Sequence, residues 1–265
     1  MRRSFNNRPR FAKVVYWITI AFMFAPLAVL AFYSFNASKS FTWTGFSWRW
    51  YEKLFTNSPI LWEAVGNSLI IAVGAAVVST ILGTLGAIGI NWYKFKLKKY
   101  VQAVSFVPLI LPEVIIGVAL LIFFASVLHF PLGMGTILIA HISFTIPFVM
   151  LIVMARLSEF DYSIIEAGRD LGAREDQILL RIIVPISMPG IVSGFLTAFT
   201  LSLEDFVVTR FVSGANSQTL PLYIYGMVKR SVPPEVNALS VVIVLVTILL
   251  VFSVRNLLRY VVSSR

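Results

Sequence analysis

The chain has 265 residues and 58% of them are hydrophobic, more than the roughly 45–50% of a soluble domain, and its long apolar stretches leave no room for a separate soluble domain of ordinary size. Its 22 Lys and Arg outnumber 12 Asp and Glu for a net charge of +10, yet the basic residues gather at the ends of apolar runs, which argues for orientation in a membrane and against a nucleic-acid partner. The absence of cysteine excludes disulfides, thiolate metal ligation and thiol catalysis.

Stretches without Asp, Glu, Lys or Arg cover 14–38, 64–93, 114–155, 182–203 and 236–254. A membrane crossing takes about 20 apolar residues at ~1.5 Å each. The first stretch follows Arg2, Arg3, Arg8, Arg10 and Lys13, and it exceeds the roughly 7–15 residues of a signal-peptide core, so a retained helix is expected over 14–35. The segment after it interleaves Phe41, Trp43, Phe46, Trp48, Trp50, Tyr51 and Phe55 with polar residues, as suits a membrane interface or a substrate contact. A second helix over 65–93 carries Gly83, Gly86 and Gly89, small residues that let a neighbouring helix approach.

The stretch over 114–155 is too long for one crossing and is broken at His129-Phe130-Pro131-Leu132-Gly133. Helices are therefore expected over 101–127, extending back through Pro112, and over 133–155. Two more are expected over 187–207 and 236–256, which makes an all-α membrane protein of six transmembrane helices in a single domain, 1–265. Sixteen of the 22 basic residues fall on the side of the two termini, so the positive-inside bias puts both termini in the cytoplasm.

Between spans four and five, the loop 156–186 alternates charged residues with Ile164, Ile165, Ala167, Leu171, Ile178, Leu179 and Ile182. That is an amphipathic helical pattern broken at Gly172, which predicts two short helices joined at a glycine turn. Acidic residues inside apolar spans cost about 2.5–3.5 kcal/mol and mark an ion or substrate path. Glu113, Glu204 and Asp205 qualify; Glu113 and Glu204 each lie about 21 Å up their helices, and His141 approaches that level from the outer side. Adjacent Glu204 and Asp205 differ by about 100° on an α-helix, so at most one faces a central path unless the helix breaks. Carboxylates bonding helix ends or Arg210, and a histidine that only packs, remain the alternative reading. Carboxylates in a low-dielectric passage favour a cation, with Phe199, Phe206 or Tyr223 as candidate cation–π partners. The amphipathic segment 220–230 reads as an external gate or a plain interfacial helix. No GxxxxGK[ST] phosphate loop occurs.

Glu166-Ala167-Gly168, Gly172-Ala173, Ile183, Pro185 and Pro189 resemble the EAA loop of bacterial ABC importer permeases, with Gly168 for the second alanine and Val184 for the leucine before proline. Residues 45–55, 141–149, 166–173, 201–214 and 220–240 further resemble permeases of the spermidine/putrescine family, with Glu113 and Glu204 where aspartates are usual. The resemblance implies a type I ABC importer permease fold in the bacterial inner membrane. It further implies coupling to a cytoplasmic ATPase through Glu166, Ala167, Gly168, Gly172, Ala173 and Pro185. The implied partners are two ATPase copies, a second permease subunit and an external polyamine-binding protein. ATP and magnesium would belong to the ATPase; this chain would hold no cofactor or metal and have no catalytic residue of its own. The same machine carrying thiamine, ferric ion or a sugar is a rival reading, as is a secondary cation transporter; the two histidines and lack of a nucleophile arrangement make an intramembrane enzyme a poor fit.

Overall fold

The computed structural model describes residues 9–39, 42–159, 161–230 and 234–263, without the side chains of 9, 10, 230 and 250–263. All regular structure among these residues is helical. The chain divides into two compact units, Ile60–Tyr223 and, from the two ends, Met1–Pro59 with Ile224–Arg265.

In the unit built from the chain ends, helix α1 (Pro9–Tyr33) is apolar along its length and its membrane-crossing stretch buries nothing within the chain. Lipid or another protein must cover such a surface. The segment after α1 is organised by buried Asn36, whose amide donates to the Thr42 carbonyl (2.9 Å), while its Oδ1 accepts from the Thr44 N–H (3.1 Å). Its backbone carbonyl accepts from the indole N–H of Trp50 at 2.6 Å. Phe35, Phe46, Trp48 and Tyr51 stack edge and face around this knot, while Phe41 lies outside the described residues. Helix α2 (Arg49–Thr56) buries Trp50 and Leu54. Its Lys53 Nζ donates to Glu235 Oε2 at 2.6 Å, across 182 residues of chain.

The central unit contains most of helix α3 (Pro59–Trp92), then α4 (Lys98–Ser105), α5 (Val107–Ile110) and α6 (Glu113–Ile122), which ends in a π-helical turn over Phe123–Val127. The expected helix over 101–127 is not straight: Lys98–Ile110 and Glu113–Val127 meet at a bend of 106°. Pro112 is the cause, because its ring drives Leu111 out of helical geometry (ψ 137°) and removes an N–H from the ladder. Helix α7 (Met134–Ser158) is the central post of the unit. At Gly83 a side chain would put its Cβ 2.8 Å from Val149 Cβ, so the glycine lets α3 approach α7, whereas Gly89 meets nothing within 4 Å.

After α7 come the short helices α8 (Ser163–Asp170) and α9 (Glu175–Ile178), a π turn over Leu179–Ile183, and α10 (Val184–Glu204). Glu175–Glu204 is one continuous helix, beginning well before the expected 187. The π turn lies just ahead of Pro185, where an ordinary α-helix would lose an N–H and crowd a carbonyl. Helices α11 (Val207–Val212) and α12 (Leu220–Arg230) follow, and α13 (Pro234–Ser263) closes the chain.

Among the described residues four helices are long and apolar enough to cross a membrane, and the bent pair counted as one span makes five. The sixth expected span, 236–256, falls within α13, whose side chains are described only to Leu249. Arg2, Arg3, Arg8 and Arg265 lie outside the described residues, and Arg10, Arg255 and Arg259 are described without their side chains.

Candidate functional site

The central unit holds two features that bear on function, a buried polar knot where α10 gives way to α11 and an exposed elbow formed by α8 and α9. The knot begins with the end of α10. Asp205 leaves helical geometry (ψ 125°) and its carboxylate folds forward over the next helix. Oδ1 accepts from the Val208 N–H (3.2 Å), and Oδ2 accepts from the Thr209 N–H (2.8 Å) and the Thr209 hydroxyl (2.8 Å). This is the capping geometry that satisfies the orphan amides of a helix start.

His141 reaches across from α7. Its Nδ1 lies 2.7 Å from Ser202 Oγ and its Nε2 lies 2.9 Å from Thr209 Oγ1 and 3.3 Å from Asp205 Oδ2. The Thr209 hydroxyl proton is used on Asp205, so its oxygen accepts from Nε2–H, and Nδ1 of a neutral ring then accepts the Ser202 hydroxyl proton. His141, Ser202, Asp205 and Thr209 are all buried. The expected common level was that of Glu113, Glu204 and His141; the direct contact of His141 is with Asp205. Glu204, one residue earlier, is exposed, as is Glu113 in the first turn of α6. Among the described residues no hydrogen bond or ion pair joins either glutamate to the knot, although α11 packs against α6 beside a core that includes Phe124, Ile137, Val208 and Val212. Ser202 and Thr209 were not singled out from the sequence; their positions three before and four after Asp205 were the available signal.

The elbow is set by Gly172, at φ +81°. The Gly172 N–H donates to the Arg169 carbonyl (2.8 Å) and the Ala173 N–H to the Gly168 carbonyl (3.0 Å), the paired bonds of a Schellman helix end. Asp161 accepts from the Ser163 N–H at 3.0 Å at the start of α8, and that bond holds its carboxyl below the ordinary carboxylate range. Arg169 bonds Glu175 Oε1 with two guanidinium nitrogens, at 3.1 and 2.8 Å, across the turn. Inward, Ile165, Ile178 and Ile183 are buried in one core with Val149, Val153 and Leu157 of α7 and Ala198 of α10. Gly168 is buried against Ile182, and Ala173 and Pro185 are half-buried. Outward, Glu166, Ala167, Ile164 and Leu171 are exposed, Leu171 at 88%. An elbow welded to two long helices and apolar at its tip can pass a push from a docked protein into the helices, because packed elements move as bodies. Among the described residues no three His, Cys, Asp or Glu side chains gather as a metal ion would require.

A set of long apolar helices joined to an exposed amphipathic elbow is the arrangement of a membrane permease. The chain of a bacterial ABC transporter that imports the acidic polysaccharide alginate superposes with TM-score 0.70 at 16% identity, covering 93% of this chain and 94% of that one. A chain of the methionine ABC transporter MetNI superposes with TM-score 0.62 at 20% identity, over 75% of this chain and 93% of that one. These likenesses establish the ABC-permease fold. The sequence pattern of the family described as binding-protein-dependent transport system inner membrane component matches residues 79–265, and the chain belongs to that family. The spermidine/putrescine transport system permease protein PotC of Haemophilus influenzae is 41% identical over 93% of this chain and 94% of its own length. PotC of Escherichia coli is 38% identical over 90% of both, and the putrescine permease PotI of Escherichia coli is 40% identical over 87% of this chain and 84% of its own.

Proposed function

We propose that this chain is a permease subunit of an ATP-driven importer that carries polyamines such as spermidine and putrescine across the bacterial inner membrane. It forms a single membrane domain with six crossings and both termini in the cytoplasm. It works with a second permease subunit, two copies of a cytoplasmic ATPase that hold ATP and magnesium, and an external polyamine-binding protein. The observation that carries the reading is likeness to named polyamine permeases at 38–41% identity along nine-tenths of the chain. Fold alone would not select the cargo, since the alginate importer shares it.

The electrostatics support the cargo class. Exposed Glu113 and Glu204, with buried Asp205 and His141 supporting the latter, give the path an acidic wall, and a thin chain of ammonium groups is attracted where an anion is rejected. At the elbow, Glu166, Ala167, Gly168, Gly172, Ala173 and Pro185 form the coupling device, with α8 and the Leu171 tip docking on the ATPase. The continuous helix Glu175–Glu204 runs for about 45 Å, so elbow and acidic wall lie on one rod.

The test is uptake of labelled spermidine by vesicles holding the complete complex. Accumulation should need ATP, the ATPase and the binding protein, and Glu204→Gln should cut it about tenfold or more. Accumulation by this chain alone, or preference for thiamine, ferric ion or a sugar, would overturn the reading.

A further inference from the structure

The two neighbouring acidic residues occupy opposite surroundings. Glu204 is exposed at the last turn of α10, and no ion pair or hydrogen bond joins its carboxylate to another described residue. Asp205 is buried, and its carboxylate already accepts from the Val208 N–H, the Thr209 N–H and the Thr209 hydroxyl, with His141 Nε2, whose proton goes to Thr209, 3.3 Å away. An ionised carboxylate offers about four lone-pair positions, and three of them are used. His141 has both ring nitrogens engaged. An ammonium group could reach either buried residue only by displacing bonds that hold the start of α11. The knot also spans the place where the chain changes direction: Ser202 precedes the break, Thr209 follows it, and His141 ties both to α7.

We propose that the pair is divided in its work: Glu204 alone meets the cationic cargo, and Asp205, braced by His141, is a positioning residue that holds the break between α10 and α11 and thereby sets where Glu204 points. This rests on the polyamine-permease reading above. The requirement at 205 is then for a helix cap of the right reach, and charge is secondary. Asparagine keeps the reach and one accepting oxygen but turns its NH2 toward a donor on the other side, whereas glutamate keeps the charge and both oxygens but is too long for the cap. At 204 the requirement is the reverse.

The experiment uses the complete complex with its ATPase, sister permease and binding protein in vesicles, with spermidine uptake efficiency and the yield of assembled complex as readouts. Asp205→Asn, which keeps the reach and one of the two accepting oxygens, should retain clearly more uptake than Asp205→Glu and Asp205→Ala, which should each lose about tenfold or more. Because Asp205 acts through Glu204, Asp205→Ala should cost little further once Glu204→Gln is present. A residue that only stabilises the fold would subtract its full factor in both backgrounds. If Asp205→Glu transports and Asp205→Asn does not, Asp205 touches cargo through its charge and the division is overturned. Failure of the Asp205→Asn complex to assemble, or undiminished loss in the double variant, overturns it as well. Should Asp205→Ala fail to assemble, the Asn and Glu variants decide alone. If Glu204→Gln transports normally, the acidic path itself fails, a different result from failure of the division.

Discussion

Glu204 and Asp205 are chemically near twins, and what separates them is a turn of backbone. Their acidity inside an apolar run made both visible in the sequence, as the polar ring of His141 did on its own helix. Ser202 and Thr209 were hidden because hydroxyls in membrane helices commonly bond to their own helix, as Thr197 does to the Ser193 carbonyl and Thr200 to the Leu196 carbonyl, both at 2.9 Å. Only the break at Asp205 turns Thr209 into a link between carboxylate and imidazole. Replacing it by valine keeps the shape and leaves Asp205 and His141 short of partners. Thr209→Val should therefore cost about 1–3 kcal/mol, read as a lower thermal midpoint of the purified protein. Gly172 is a second decisive residue, since at φ +81° an alanine pays about 1–2 kcal/mol of backbone strain. Gly172→Ala should speed amide hydrogen exchange in residues 163–178 with little effect elsewhere.

At the scale of elements, apolar run length located the long helices to within a few residues at most ends, because burial of some 20 apolar side chains in lipid leaves little choice. Breaks were less legible. Pro112 was present in the sequence, but proline is tolerated in many membrane helices, and the 106° bend depends on how α6 is held. The reverse occurred at Pro185, where the π turn over Leu179–Ile183 carries the helix past a residue that ordinarily ends one. The elbow was legible from its amphipathic pattern; its attachment to α7 and α10 through Ile165, Ile178 and Ile183 was not, since periodicity names a buried face without naming what buries it. Leu171, 88% exposed at the tip, is the position where docking and folding come apart. Leu171→Asp should leave the folded permease intact in size-exclusion chromatography and lower the amount of ATPase that co-purifies by about tenfold.

Across the whole molecule, the division into Ile60–Tyr223 and a unit assembled from the two chain ends has no signature in composition, since long apolar stretches occur in both. Charge bias gave an orientation, and length a number of crossings, but neither reports which helices are neighbours. The interior of Ile60–Tyr223 explains why cargo and coupling are argued from the same unit: the elbow and the acidic residues Glu113, Glu204 and Asp205 all lie within it.

The ion pair of Lys53 with Glu235, together with the packing of α1 against α13, has a consequence for the order of synthesis. Partners 182 residues apart cannot meet until the ribosome has made nearly the entire chain, so the first helix to enter the bilayer waits longest for its mate. A chain truncated after residue 230 and released into the membrane should therefore leave the stretch around Trp48 open to protease while 60–223 is already resistant. The last helix to emerge is the one that completes what the first began.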